Sequence, residues 1–356
     1  MSECRAFINA VGTAVPDHDI HGAFIRWAEE KITDRRERAA FRRMAGRSGI
    51  DHRWSVLPPT SGGGSPVEAG GFYADAVPPT SQRMDLYAVE APRLALSAIE
   101  GLNGAAALDG ITHLVVASCT GFVAPGIDQI IARRLGLDNV ERTLVGFMGC
   151  YAAVAALRLA HHIVRSEDAA RVLVVTVEIS SLHLQFDAAI EPLLAMLQFG
   201  DGAAAALVTA KPQGFGMFDP FAMTLPDSEE LIRWTVGDAG FAMHLSGEVP
   251  ARIAHALADG GIQRRMLGED GPGEIDAWAI HAGGRSILDA VETGLGLGAD
   301  ALRESRDVLA RFGNMSSATL MFVLADLLAD DHRRNGVALA FGPGLAAEGF
   351  RFARPG

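Results

Sequence analysis

The chain has 356 residues, 49% of them hydrophobic, and a net charge of −12, so it can bury a large core as one big domain or two fused halves while its surface repels nucleic acid. Its three cysteines, none in a C-x-x-C pair, argue against a disulfide framework and a structural zinc site. No uncharged apolar run reaches spanning length and residues 1–5 lead into no apolar core, so neither export nor membrane insertion is expected and the cytoplasm is the expected compartment.

In chain order, residues 6–15 read as a strand that ends at Pro16. Two helical stretches follow, the second running into residues 31–53, where Lys31, Arg35, Arg36, Arg38, Arg42, Arg43, Arg47 and Arg53 accumulate with few acids between them. Such an island in an acidic protein can bind phosphate; it is equally the pattern of a solvated helix face. Residues 58–79, rich in Gly, Ser and Pro, read as a mobile surface loop. A helix is expected over 84–99 and a buried strand over 112–117, stopping just before Cys119.

Residues 145–153 organise the rest. A β-rich apolar run breaks at Gly146 and Gly149 and delivers Cys150 to the start of a helix running to about residue 165. Unpaired backbone N–H groups and the helix dipole converge there, which favours thiolate over thiol. A thiolate at neutral pH is a nucleophile for acyl groups.

The two halves echo each other. One has a strand ending at Cys119, a helix running to residues 134–137, Cys150 opening a second helix, a strand over 171–177, and Phe199-Gly200-Asp201-Gly202 before a last strand at 203–208. The other has a strand over 277–280 ending at His281, a helix running to residues 294–297, Asn314 opening a second helix, a strand over 336–340, and Phe341-Gly342-Pro343-Gly344 before its last strand. Such a duplication predicts an α/β fold of layered, pseudo-equivalent halves, divided here as 1–211 and 212–356. It also gathers Cys119, Cys150, His281 and Asn314 near the pseudo-twofold axis. The interval from Cys150 to Phe199 exceeds that from Asn314 to Phe341, and the extra segment, about 179–198, is an insertion placed to line a cavity.

His281 is suited to share the proton of Cys150 as a thiolate and imidazolium pair. Asn314 cannot act as a base, but its amide and His281 together can donate hydrogen bonds to an oxygen that becomes negative. This set suits carbon–carbon bond formation between thioesters by decarboxylative Claisen condensation, with no metal or redox cofactor. Serine hydrolysis is disfavoured, because no G-x-S-x-G elbow accompanies a suitable triad.

The motifs G-F-M-G-C at 146–150, L-Q-F-G-D-G-A-A-A at 197–205, P-D-S-E at 226–229, H-A-G-G-R-S-I-L-D at 281–289, G-N-M-S-S-A at 313–318 and F-G-P-G-L at 341–345 resemble the type III polyketide synthases, the chalcone and stilbene synthase family, in family order over most of the chain. The resemblance implies a thiolase-like duplicated αβαβα layered fold, a homodimer, acyl-CoA starters with malonyl-CoA as extender, and Cys150, His281 and Asn314 as the catalytic triad. It makes Phe199 the gate between CoA tunnel and cavity, sets Arg43, Arg47 and Ser286 along the CoA path, and places Ile232, Gly342 and Pro343 on the substrate pocket.

Departures from the plant pattern fall on the same pocket. Met243 stands where plant members usually carry a second gating phenylalanine, so a flexible thioether replaces a ring. Trp234 replaces a cavity-wall glycine, His183 and Cys119 replace threonines, and Ala40 replaces a lysine of the CoA patch. Cys119 is expected to be pocket wall rather than a second catalytic thiol. A plant-like flavonoid is not the expected product; microbial relatives with such substitutions make alkylpyrones, alkylresorcinols or small polyhydroxyphenols. The rival readings are a ketoacyl-carrier-protein synthase of the initiating type and a non-catalytic acyl-CoA-binding protein of the same fold.

Overall fold

A nine-stranded sheet carries the molecule, and its strand order repeats one plan twice. The computed structural model describes residues 6–74, 76–102 and 108–355, so residues 1–5, on which the export expectation rests, lie outside it. The first half holds β1 (Ala6–Ala14), β2 (His18–Asp19), α1 (His21–Lys31), α2 (Arg35–Ala45), β3 (Trp54–Ser55) and α3 (Thr80–Glu100). It continues through β4 (His113–Ser118), α4 (Ile127–Arg134), β5 (Glu141–Gly146), α5 (Ala152–Ser166), β6 (Val172–Ile179), α6 (Ile190–Met196) and β7 (Asp201–Thr209). The second half opens with β8 (Phe215–Thr224), the hairpin β9 (Ile232–Gly237) and β10 (Gly240–Leu245), α7 (Val249–Leu257) and α8 (Gly260–Leu267). It closes with β11 (Ala277–Ile280), α9 (Arg285–Leu295), α10 (Arg303–Phe312), α11 (Ala318–Ala329), β12 (Asn335–Gly342) and β13 (Ala346–Ala353).

The repetition is one of pairing as well as order. β4 runs parallel to β6, β6 antiparallel to β7, and β7 antiparallel to β1. In the same sequence β11 runs parallel to β12, β12 antiparallel to β13, and β13 antiparallel to β8. The halves join where Ala6 pairs with Met217 and Ile8 with Phe215, so their two sheets are continuous. β5 pairs with β4 at the outer edge and, among the described residues, has no counterpart in the second half.

Both faces of the inner strands are apolar, which is why these strands read as unbroken runs of Val, Leu, Ile and Ala. Val172 and Val174 turn inward with Ala279 and Ala338 onto α5 and α11, whose small residues let the helices pack close at the centre. Leu173, Val175 and Val177 face outward onto α3 and α4. Trp278, Ile280 and Leu339 face outward onto α7, α9 and α10. The result is five layers, α-β-α-β-α, as expected. No helix among the described residues is long and apolar enough to cross a membrane.

One expectation is corrected. The Gly, Ser and Pro-rich stretch after β3 is not a solvated surface loop throughout: Ser65 and Tyr73 are buried, and the Tyr73 hydroxyl donates to the Ser181 carbonyl at 2.8 Å. Its composition supplies turns, but its apolar residues fold down as a roof over the segment between β6 and β7.

Candidate active site

Cys150 sits two residues before α5, in a turn made possible by glycine on each side of the interface between halves. Gly149 has φ +80°, and a side chain there would lie 2.5 Å from the Pro343 ring. A side chain at Gly342 would lie 2.5 Å from the Tyr151 ring. The two backbones can approach only without those carbons.

One chamber is lined by Cys119, Cys150, Phe199, His281, Asn314 and Ser316, so the residues far apart in sequence do converge. Ile232, Trp234, Met243, Gly342 and Pro343 line it too. Asn314 is fixed from both ends of its amide: Nδ2 donates to the Gly283 carbonyl at 3.1 Å, and Oδ1 accepts from the Ser316 N–H at 2.8 Å. Its backbone is tied to the gate residue's neighbours, accepting from Gly200 N–H at 3.0 Å and donating to the Gln198 carbonyl at 2.8 Å. The same amide also bonds the Cys150 thiol.

His281 is buried, and among the described residues neither ring nitrogen has a hydrogen-bond partner. A buried imidazole without partners costs roughly 1–3 kcal/mol per unsatisfied group, and such an exception asks for a functional reason. Burial pushes the His281 pKa down to about 3.

The protonation of Cys150 corrects the reading from the helix end alone. Burial pushes its thiol up to about 12, against smaller lowering by hydrogen bonds from Ser316, Asn314 and its own N–H. Taken singly, thiol and imidazole are both neutral. An ionised Cys150 therefore requires a proton moved to a neighbour, and His281 lines the same chamber with neither nitrogen bonded among the described residues.

Ser316, which the sequence reading did not single out, lies between the two thiols. Its hydroxyl is 3.2 Å from Cys119 Sγ and 3.6 Å from Cys150 Sγ. It holds φ +48°, a conformation that L side chains adopt rarely and at a cost. Glu178, likewise missed, is a fully buried carboxyl at the end of β6. It accepts from Cys119 N–H at 3.0 Å, Thr120 Oγ1 at 2.8 Å, the Cys119 thiol at 3.3 Å and the Ser317 hydroxyl. Burial raises its pKa despite these donors.

A second chamber adjoins the first and shares Ser180, Phe199, Trp234 and Met243 with it. His183 lines this rear chamber only, and the insertion after β6 supplies much of its wall. The His183 ring stacks on Phe241 at 4.1 Å, its Nε2 bonds the Thr120 carbonyl at 2.7 Å and its Nδ1 accepts from Phe241 N–H at 3.1 Å. Outside the chambers, Arg47 and Ser286 face one surface cleft; Arg43, on the exposed face of α2, does not line it, whereas Arg285 does.

Residues 1–212 match the family model described as chalcone and stilbene synthases, N-terminal domain, and residues 220–353 match the corresponding C-terminal domain. The chain is 37% identical over 295 residues to the alpha-pyrone synthesis polyketide synthase-like Pks18 of Mycobacterium tuberculosis, covering 79% of this chain and 71% of that protein. It superposes with a TM-score of 0.86 on the crystal structure of PKS-I from the brown alga Ectocarpus siliculosus, at 28% identity over 99% of this chain and 98% of that one. A variant of CsyB gives the same TM-score at 24% identity, over 99% of this chain and 100% of that one.

Proposed function

This chain belongs to the chalcone and stilbene synthase family and is a type III polyketide synthase; from that premise we propose that it loads an acyl-CoA starter on Cys150, extends it with malonyl-CoA and releases an alkylpyrone. The observation that carries the proposal is the convergence of Cys150, His281 and Asn314 on one chamber, with a buried imidazole whose nitrogens no group among the described residues occupies. In loading, the Cys150 proton passes to His281, sulfur attacks the thioester carbon, and the CoA thiolate leaves and recovers the proton. Malonyl-CoA then loses carbon dioxide, and the enolate oxygen accepts hydrogen bonds from Asn314 Nδ2 and His281. The enolate carbon attacks the acyl group and expels the Cys150 thiolate; reloading and a second extension give a 3,5-diketoacyl thioester, whose C5 enol oxygen attacks the thioester carbon and expels CoA to close the pyrone. Acyl-CoA and malonyl-CoA are the only co-reactants, and no cofactor enters these steps.

The rear chamber supports the starter class. Most of its polar side chains bond within the wall: Arg53 Nε to His21 and Nη1 to the Met196 and Phe199 carbonyls, Gln185 to three carbonyls, Ser181 to Asp201, and His183 as described, while Arg53 Nη2 is buried with no partner among the described residues. The rest of the lining is mostly apolar, with Phe24, Leu57, Val67, Pro192 and Phe241 on it, so a hydroxyl entering it would give up hydrogen bonds to water with few replacements. The starter therefore carries a plain hydrocarbon tail, which favours alkylpyrone or alkylresorcinol over a polyhydroxyphenol built from malonyl units alone. Pks18 is named for alpha-pyrone synthesis, which inclines the choice to the pyrone.

The protein acts as a homodimer in this reading. β5 offers an unpaired edge, with Leu144 at 47% and Phe122 at 50% exposure beside it. Such an edge is normally covered or paired. Cys119 and Cys150 as free thiols suit the cytoplasm, and the halves 1–211 and 212–356 are kept as its two units.

The test is to incubate the protein with malonyl-CoA and acyl-CoA starters of increasing length, reading carbon dioxide and product mass. Release of carbon dioxide with products heavier by acetate units is expected, most with unsubstituted tails. Absence of decarboxylation would leave only an acyl-CoA-binding protein, and a requirement for malonyl-carrier-protein would make it an initiating ketoacyl synthase.

A further inference from the structure

A surface cleft is lined by two arginines from separate parts of the chain, Arg47 just after α2 and Arg285 at the start of α9. Ser48, Gln198, Ser286 and Asp289 line it with them. Gln198 precedes Phe199, and Arg285 follows Gly283 by two residues; Phe199 and Gly283 both line the catalytic chamber. Cleft and chamber thus draw on neighbouring residues of the same two segments.

The cations nearby are unequally committed. Arg38 gives its guanidinium to the Ile32 carbonyl at 2.9 and 2.6 Å, and Arg42 gives its own to Glu29 at 2.8 and 2.6 Å. Arg285 donates Nη1 to the Arg47 carbonyl at 3.3 Å, which sets its guanidinium against the segment that carries Arg47. Its carboxylate neighbour is Asp289 at 3.7 Å, with both side chains half exposed. Asp289 is already held by Arg306 at 2.6 Å. A long, exposed pair of this kind is worth little, so Arg285 keeps donors for another anion.

We propose that Arg285 is a phosphate-binding residue that works with Arg47 across the cleft to hold the phosphates of the CoA thioester, positioning its carbonyl carbon toward Cys150. This rests on the reading that CoA thioesters are the substrates. Two guanidinium forks facing a cleft suit phosphate oxygens, to which each can donate two N–H bonds. Ala40 leaves the basic patch on α2 one cation short of the family pattern and Arg43 does not line the cleft; Arg285, on a different helix, supplies the second charge.

The experiment compares wild type, Arg285→Ala and Arg285→Lys with malonyl-CoA and with malonyl-N-acetylcysteamine, which carries no phosphate. For malonyl-CoA, Arg285→Ala is expected to raise KM about threefold to tenfold with kcat little changed, and Arg285→Lys to recover part of the loss. For the N-acetylcysteamine thioester, KM should not move. Equal rises with both thioesters, or none with either, would overturn the assignment. A wild type that condenses neither thioester removes the proposed function itself; an active wild type with a silent Arg285→Ala removes only this role.

Discussion

Trp234 and Met243 face each other as a register pair across the β9–β10 hairpin, and both stand between the two chambers. They are held differently. Trp234 Nε1 donates to the Cys119 carbonyl at 3.0 Å, and its ring meets Phe241 edge-on at 5.9 Å and His183 at 5.6 Å. Met243 has a flexible thioether. The tryptophan is therefore the fixed post of the passage and the methionine its yielding side. Met243→Phe should narrow the passage and lower kcat/KM for long starters relative to short ones about tenfold, whereas Trp234→Gly should merge the chambers and admit bulkier tails. The check is product mass against starter length, and an unchanged length profile in both variants would refute the passage.

A second expectation concerns the coupling of Cys150 to His281. With burial holding the thiol up to about 12, a thiolate near neutral pH exists only if the imidazole takes the proton. His281→Gln removes the acceptor and should slow alkylation of Cys150 by iodoacetamide at pH 7 by about tenfold or more. Mass spectrometry of the labelled peptide over time is the measurement. Equal rates would show that the helix end suffices to ionise the thiol.

The three triad residues are legible in the sequence because each marks a local event, a strand ending or a helix beginning, and because the events recur in the same order in both halves. Glu178 is not legible in that way. It sits inside the apolar run of β6, and only pairing in three dimensions brings Cys119, Thr120 and Ser317 to its carboxyl. The roof over the rear chamber is hidden for a related reason: Gly and Pro disclose turns, but not the surface on which Tyr73 and Ser65 are laid. The raised pKa of Cys150 is not legible locally either, because a helix end is a local signal whereas burial is a property of the whole fold.

Glu178 yields a stability prediction. Four donors converge on one buried carboxyl, so Glu178→Leu should strand them and cost about 3–5 kcal/mol, seen as a lower urea midpoint with an unchanged slope. Glu178→Gln keeps the shape and one acceptor oxygen but turns an amide N–H on some of the donors, and should fall between the two. A loss in Glu178→Leu below about 1 kcal/mol would mean the network relaxes without penalty.

Stability should also fall on both sides of neutrality. His281 is pushed down to about 3, and His21, His161 and His183 to about 4, by burial first in each case. The unfolded chain binds protons at these histidines from about pH 6.5 downward while the folded one does not, so each contributes a loss of up to about 1.4 kcal/mol per pH unit as pH falls toward its folded value. Asp201 opposes them: burial raises it to about 6, so between that value and its unfolded range near pH 4 the folded state holds the extra proton and gains. Glu178 and Asp326, also raised by burial, act in the same direction, and the four histidines, with the larger displacements, outweigh the three carboxyls. On the alkaline side Cys150 ionises in the unfolded chain from about pH 8.5 but only near pH 12 when folded, so stability declines again above about pH 8.5. Urea unfolding at pH 5, 7 and 9 should give its highest midpoint at pH 7, with the steeper fall on the acid side, and replacing His161 by Phe should flatten that fall by one proton's worth. A midpoint that rises from pH 7 to pH 5 would show that the buried histidines are charged in the folded protein.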